Sequence, residues 1–121
     1  MFEFLGFKLK VFLGFNTQLE KFHAVKVIEK RSIRTREDEE WLVCEKAALF
    51  ASKNCHFIVH LFYTFQDNKN YYFVSEFVSG GDLMFHLQKL KKFSESHAKI
   101  TLAQIVLALQ FLHERSDFTN F

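Results

Sequence analysis

The chain changes character at Val78-Ser79-Gly80-Gly81-Asp82-Leu83-Met84-Phe85-His86. The segments before it contain runs rich in Val, Phe, Leu and Ile, which are typical of strands. Gly80 and Gly81 interrupt that pattern, and Asp82 is a residue type that favours the N-terminus of a helix. This stretch therefore predicts a strand-rich half followed by a helical half.

Strands and one helix are predicted before the division. The strands are expected at residues 8–14, 20–28, 58–65 and 71–77, with polar turns at 16–18 and 66–70. Helix-forming residues dominate residues 37–52, where Trp41, Cys44, Ala48 and Leu49 have the spacing of one helical face.

Two helices are predicted after the division. The first runs from Asp82 to about Lys91, and the second is capped by Ser94 or Ser96. The order β-β-α-β-β-α-α indicates an α+β fold. An RNA-recognition domain needs β-α-β-β-α-β and is excluded by this order.

The composition excludes further classes of protein. A net charge of only +2 argues against a dedicated nucleic-acid binder, and 49% hydrophobic residues argue against disorder. Phe occurs 17 times and Pro not at all, and we expect the phenylalanines in the core.

The chain shows no feature of secretion or membrane insertion. Its longest uncharged stretch, residues 100–113, is shorter than the roughly 20 residues that span a bilayer. Cys44 and Cys55 are expected to be reduced thiols, so we expect a soluble, cytoplasmic chain. His56 and His60 would lie about 13 Å apart on a strand, too far to share a metal ion, and no metal site is expected.

Four strings resemble the catalytic domain of serine/threonine protein kinases. They are His23-Ala24-Val25-Lys26-Val27, WLVCEK at residues 41–46, the stretch 78–86, and Phe111-Leu112-His113-Glu114-Arg115. Together they resemble the protein kinase C type, the atypical members most of all. The resemblance implies a small lobe, with an antiparallel β-sheet and one packed helix, followed by two helices of a truncated large lobe.

The same resemblance implies a partial kinase domain over residues 1–121. Residues from 1 to about 78 would be the small lobe and hinge, about 79–115 the first large-lobe helices, and 116–121 a divergent tail.

The resemblance also implies a site for ATP. Lys26 would hold the α- and β-phosphates, and Glu45 would fix Lys26 through an ion pair. Without the resemblance, Lys26 would be interpreted as a strand lysine at a core edge and Glu45 as a solvated helix residue. Backbone groups from Glu76 to Val78 would bind adenine, and Ser75 would lie at the entrance to the pocket behind the adenine ring.

The remaining implied contacts concern the ring and the ribose. Val11, Ala24 and Leu83 would sandwich adenine in an apolar slot. Asp82 would accept hydrogen bonds from the ribose hydroxyls, cap the following helix, or do both.

The glycine-rich loop departs from the family pattern. Counted back from Lys26 it covers residues 4–11, and glycine is expected at the positions of Phe4, Gly6 and Leu9. Only Gly6 fits, although backbone N–H groups must come close to phosphate there. We therefore expect ATP binding to be weak or lost.

The catalytic loop departs further. The positions of the family's His/Tyr-Arg-Asp triplet hold Thr119, Asn120 and Phe121, and Phe121 cannot accept a proton. The family's Mg²⁺ ligands are absent from these 121 residues, so no catalytic residue is assigned. We expect no phosphorylation by this chain alone.

Three functions remain open at this point. The chain is a piece of a serine/threonine kinase, a pseudokinase-like binding module, or a nonfunctional truncated gene product. In the second case a partner would cover the apolar stripe of the helix at residues 94–114.

Overall fold

The computed structural model describes residues 2–4 and 7–115. The chain divides into two compact units between Phe77 and Val78. The first unit contains the strands and one α-helix, and the second contains two α-helices.

The first unit is an antiparallel sheet with one helix. Its elements are β1 (Phe2–Phe4), β2 (Phe7–Asn16), β3 (Lys21–Glu29), α1 (Arg36–Ala51), β4 (Leu61–Gln66) and β5 (Asn70–Glu76), with short 3₁₀ turns at Lys30–Ser32 and Ser52–Asn54. The described strands lie in the order β1-β2-β3-β5-β4. The predicted strands and helix are present with boundaries shifted by up to three residues, and the short strand β1 was not predicted.

One face of the sheet, called the inner face here, packs against α1. Residues opposite each other on antiparallel strands share a face, and the pairs include Leu9 with Ile28, Val11 with Lys26, and Leu13 with Ala24. The buried cluster on this face consists of Leu9, Ile28, Leu61 and Phe73, and residues of α1 that include Trp41, Leu42 and Leu49 pack against it. The core of the first unit therefore lies between α1 and the inner face.

Most of the phenylalanines whose burial the structure describes are not in the core. Phe73 is 4% exposed, whereas Phe12 and Phe65 are 53% and 54% exposed. The expectation of a phenylalanine core is wrong because a single helix covers only part of one face of the sheet. On the outer face, Phe65 stacks on Tyr72 with ring centroids 4.7 Å apart, but this contact leaves Phe65 54% exposed.

The strand β4 begins later than predicted. Residues 58–60 precede it, and the Ile58 N–H donates to the Cys55 carbonyl in a turn. His56 and His60 therefore lie outside β4, and the strand spacing used for them above does not apply. Cys44 and Cys55 are both thiols.

Local hydrogen bonds begin α1. The Thr35 hydroxyl accepts from the Asp38 N–H at 3.1 Å, and Asp38 Oδ2 accepts from the Thr35 N–H at 2.9 Å. This capping box satisfies two backbone donors that the helix itself leaves unpaired.

The second unit contains α2 (Leu83–Leu90) and α3 (Glu95–Glu114). Gly80 and Gly81 have positive φ angles of 109° and 84°, which favour glycine. Asp82 caps α2 by accepting from the Phe85 N–H at 2.7 Å, and Ser94, not Ser96, caps α3 by accepting from the His97 N–H. Neither α2 nor α3, nor any other described helix, is long and apolar enough to cross a membrane.

Candidate functional site

Lys26 and Glu45 form an ion pair on the inner face. Lys26 projects from β3, and its Nζ lies 2.6 Å from Oε1 of Glu45 on α1. Each side chain is 22% exposed, so the pair is partly shielded from water and its attraction is stronger than at a surface. The pair links β3 to α1 and restricts the position of the ammonium group.

Trp41 is the third member of this cluster. Lys26 Nζ lies 5.1 Å from the centroid of the Trp41 ring, within the range of a cation–π contact. Trp41 is one helical turn before Glu45, so both residues face β3 from the same side of α1. Oε2 of Glu45 is buried without a hydrogen-bond partner among the described residues, and one acceptor of the pair is therefore unsatisfied.

The inner face beside this pair is apolar and open. Val11 lies opposite Lys26 and is 56% exposed, and Leu13 lies opposite Ala24 and is 58% exposed. The sheet thus presents an uncovered apolar strip next to a held ammonium group. Leu83, which was expected to contact adenine together with Val11 and Ala24, is the first residue of α2 in the second unit.

Ser75 and Glu76 end the first unit's last strand. Ser75 lies opposite Ala24 on β3 and Leu61 on β4, which places it on the inner face. The Glu76 N–H donates to the His60 carbonyl at 3.0 Å, so that donor is already used. A base bound at this strand end would need other backbone groups of residues 76–78.

Val78 and Asp82 belong to the second unit. Val78 is 63% exposed, and Asp82 is exposed. One carboxylate oxygen of Asp82 accepts the Phe85 N–H, which still leaves the carboxylate further acceptor sites. The capping role is present, and the ribose role stays a prediction.

The described residues of the segment expected to form the glycine-rich loop lie in paired strands. Phe4 lies opposite Phe7, Glu3 opposite Lys8, and Phe2 opposite Leu9. Leu9 is 6% exposed and belongs to the core, although the sequence register placed it in a phosphate-binding loop. Gly6 lies outside the described residues.

A cavity elsewhere in the first unit was not predicted. It has a volume of about 580 Å³ and lies between α1, β4 and β5. Its lining includes apolar Leu42, Tyr71 and Phe73, and charged Lys30 and Lys46. The helical spacing of Leu42 and Lys46 is a signal that could have marked this side of α1 as a separate surface.

The clearest pKa shift lies away from the ion pair. In the turn after β4, the Tyr72 hydroxyl and the N–H groups of Lys69 and Asn70 donate to Asp67 and lower its pKa to about 2. These bonds stabilise the turn. No three His, Cys, Asp or Glu side chains of the described residues come together as metal ligands.

Comparison with known proteins decides the family. The sequence pattern of the protein kinase domain matches residues 6–118. The chain belongs to the protein kinase family. This kinase chain is 42% identical over 106 residues to protein kinase C eta type from Mus musculus, which covers 88% of the chain and 16% of the relative.

Two further relatives agree. Protein kinase C eta type from Homo sapiens has the same identity and coverage. Protein kinase C-like 1 from Caenorhabditis elegans is 41% identical over 93 residues, 77% of the chain and 13% of the relative. The kinase chain therefore spans only a small part of the length of these relatives.

These matches confirm the protein kinase C resemblance and the small-lobe fold. The expected likeness to atypical members is not tested by them and stays a prediction. Serine/threonine kinases in general use ATP and Mg²⁺. The Lys26–Glu45 pair fits the phosphate-facing part of such a site, whereas no described acidic cluster fits Mg²⁺.

Proposed function

We propose that this kinase chain binds an adenine nucleotide on the inner face of its sheet. The observation that carries the proposal is the Lys26–Glu45 pair, with its 2.6 Å contact, beside the apolar strip that Val11, Leu13 and Ala24 form. A flat apolar ring would lie on the strip, and the Lys26 ammonium would face the ribose and phosphate side.

The remaining contacts are proposed from the family pattern. Ser75 would border the ring, backbone groups of Glu76 and Val78 would bind its polar edge, and Asp82 would accept from the ribose. Gly6 would lie on the phosphate side of the same ligand.

Phosphoryl transfer is proposed only for a polypeptide that supplies the missing groups. Transfer to a protein serine or threonine needs a proton acceptor and bound Mg²⁺. Residues 119–121, at the family's catalytic triplet, are Thr, Asn and Phe and provide no such acceptor. We expect the 121 residues incubated with Mg²⁺, ATP and a serine-containing peptide to release no ADP above the protein-free background.

Two substitutions on neighbouring residues test the nucleotide site. Ala24 faces the proposed ligand, whereas Val25 lies on the opposite face, paired with Val74. In titration calorimetry with ATP, Ala24→Phe should abolish the saturable heat of binding and Val25→Phe should retain it. Circular dichroism would establish that both variants are folded. Absence of saturable binding in the unsubstituted chain, or equal loss in both variants, would contradict the site.

A second candidate function is protein binding through α3. Its apolar residues are open to solvent, with Leu102 60%, Val106 58% and Leu109 47% exposed. An exposed apolar stripe of this length favours a protein partner. Monomeric behaviour at all concentrations in analytical ultracentrifugation, without binding of an apolar dye, would count against this function.

We also propose that the chain is located in the cytoplasm. The two thiols, Cys44 and Cys55, support a reducing compartment. Fractionation of cells with an antibody to residues 80–88 tests it, and recovery of the chain in secreted material would contradict it.

A further inference from the structure

Two successive glycines precede Asp82, the residue proposed to accept hydrogen bonds from ribose. Gly80 and Gly81 have φ angles of 109° and 84°, a region that other residues rarely adopt. Glycine also adopts negative φ readily, so these two residues by themselves do not fix the course of the chain. Contacts with α2 must therefore set the position of the Asp82 carboxylate.

A side-chain hydrogen bond from α2 holds this segment. Nε2 of His86 lies 2.7 Å from the carbonyl oxygen of Gly80, six residues earlier in the chain. A carbonyl oxygen can only accept, so Nε2 carries the proton and donates. The backbone N–H of His86 donates to the Asp82 carbonyl at 3.2 Å. His86 is therefore bonded to the backbone on both sides of Gly81.

Phe85 supports the same segment. Its ring lies so close to Gly81 that a Cβ there would be 2.9 Å from Cδ1 of the ring. Its backbone N–H donates to Oδ1 of Asp82 at 2.7 Å, and its ring meets the His86 ring edge to face, with centroids 5.4 Å apart. The first turn of α2 thus orients the Asp82 carboxylate and packs against the glycine before it.

The His86 bond adds something that the helix cap does not. The cap orients Asp82 relative to α2 only, whereas the bond to Gly80 also ties α2 to the backbone that leads from Val78. A nucleoside would contact both ends of this segment, with its base at the backbone of Val78 and its ribose at Asp82. Because base and ribose are joined at a fixed spacing, a segment already held at that spacing loses less conformational freedom on binding.

We infer that His86 is a positioning residue for the ribose contact of Asp82. It acts through the Gly80 carbonyl and is not assigned a contact with the ligand. The inference rests on the proposed nucleotide site and adds a residue that determines how much the ribose contributes to binding there.

Two amide substitutions separate the hydrogen bond from the rest of the His86 side chain. The side-chain N–H₂ of glutamine reaches about as far from the backbone as Nε2 of histidine, whereas that of asparagine is one bond shorter. His86→Gln therefore keeps a donor for the Gly80 carbonyl, and His86→Asn removes it. His86 is exposed, so neither substitution removes a buried side chain.

The readout is the part of the affinity that depends on the ribose hydroxyls. The 121-residue chain and both variants are titrated by calorimetry with adenosine and with 2′,3′-dideoxyadenosine, which lacks these hydroxyls. In the unsubstituted chain we expect adenosine to bind about tenfold more tightly, because hydrogen bonds to a carboxylate are strong. His86→Asn should bring this ratio to within about twofold of one and leave the affinity for dideoxyadenosine within about twofold, whereas His86→Gln should keep the ratio.

A control variant weakens α2 without removing the His86 bond. Met84 lies on α2 and is 59% exposed, and glycine there lowers the stability of the helix. Met84→Gly should leave the ratio unchanged. A ratio that survives in His86→Asn, or that falls equally in Met84→Gly, would overturn the inference and leave the proposed site intact.

The two remaining outcomes are also decisive. Equal loss of affinity for both nucleosides in His86→Asn would show that His86 supports the fold alone, and would overturn the inference. If neither nucleoside binds the unsubstituted chain, the proposed site fails and the inference fails with it. The ratio is taken between two ligands of the same protein sample, so a smaller folded fraction in one variant does not change it.

Hydrogen exchange supplies a readout that needs no ligand. The Phe85 N–H bonds to the Asp82 carboxylate and therefore reports on its position. We expect His86→Asn to speed the exchange of this N–H at least about threefold, because the segment opens more often, and His86→Gln to leave the rate within about twofold. An unchanged rate in His86→Asn would contradict the positioning role.

Discussion

Glu45 reaches across from α1 to Lys26 on β3, so that two residues 19 positions apart in the chain are 2.6 Å apart in space. Each is 22% exposed, which is intermediate between a solvated and a fully buried pair. An ion pair in this position contributes to stability only while both members are present, because either one alone is left partly desolvated.

We expect Lys26 and Glu45 to be energetically coupled. A double-mutant cycle with Lys26→Met and Glu45→Gln, measured by urea unfolding, should give a coupling energy of about 1–3 kcal/mol. The matched control is the surface pair Arg36–Glu40, whose side chains are 89% and 36% exposed. That pair should give about 0.3–0.5 kcal/mol. A Lys26–Glu45 coupling no larger than the control would show that the pair has no stabilising role.

Glu20 occupies a backbone conformation that suits glycine. It lies in the turn between β2 and β3 with φ of 50°, in the left-handed region. Glu20→Gly should raise the free energy of unfolding by about 0.5–1 kcal/mol, because the steric cost exceeds the added freedom of the unfolded chain. The control is Leu19→Gly in the same turn, whose φ is not positive and for which we expect no gain. Equal effects of the two substitutions in urea unfolding would refute this explanation.

The hydrogen bond between Asp67 and Tyr72 makes the stability of the fold depend on pH in the acidic range. The Tyr72 hydroxyl donates to Asp67 Oδ2 at 2.7 Å and is the largest cause of the lowered pKa of Asp67, about 2 against an ordinary 3.8. Because the folded pKa is below the unfolded pKa, this contribution is fully present above pH 3.8 and is lost as the pH falls towards about 2.

Two variants check this dependence. The stability difference between the unsubstituted chain and Asp67→Asn should be constant above pH 4 and shrink towards pH 2, as measured by urea midpoints. Tyr72→Phe should raise the pKa of Asp67 in a carboxyl NMR titration. An unchanged pKa in Tyr72→Phe would assign the shift to the turn N–H groups alone.

Gly80 and Gly81 should differ in their tolerance of a side chain. A Cβ on Gly81 would lie 2.9 Å from Cδ1 of Phe85, whereas one on Gly80 meets no atom within 4 Å. Both have positive φ, so Gly80→Ala should cost about 1 kcal/mol and Gly81→Ala more, up to about 2–3 kcal/mol. Thermal unfolding followed by circular dichroism measures both.

Phe85→Ala supplies the control for the glycine pair. In a Phe85→Ala background the difference between Gly80→Ala and Gly81→Ala should disappear, because the ring that crowds Gly81 is gone. Persistence of the difference would place its origin in the backbone and not in Phe85.

Several features could be predicted from the sequence because they depend on neighbours along the chain. Gly80 and Gly81 ended the strand pattern, and Asp82 capped α2 through an N–H three residues away. The start of β4 was predicted at residue 58, whereas the strand begins at Leu61 because a turn precedes it. Local sequence patterns do not show where strand pairing begins.

The sequence alone determined the α+β class, the order of the predicted elements and the kinase resemblance, because local spacing and short motifs carry that information. The family resemblance already implied that Glu45 pairs with Lys26. Only the tertiary structure decided that Trp41 joins this pair, that Leu9 is a core residue, and that most of the described phenylalanines stay exposed. These outcomes depend on strand register and on how much of the sheet α1 covers. Both are set by contacts between residues that are distant in the chain.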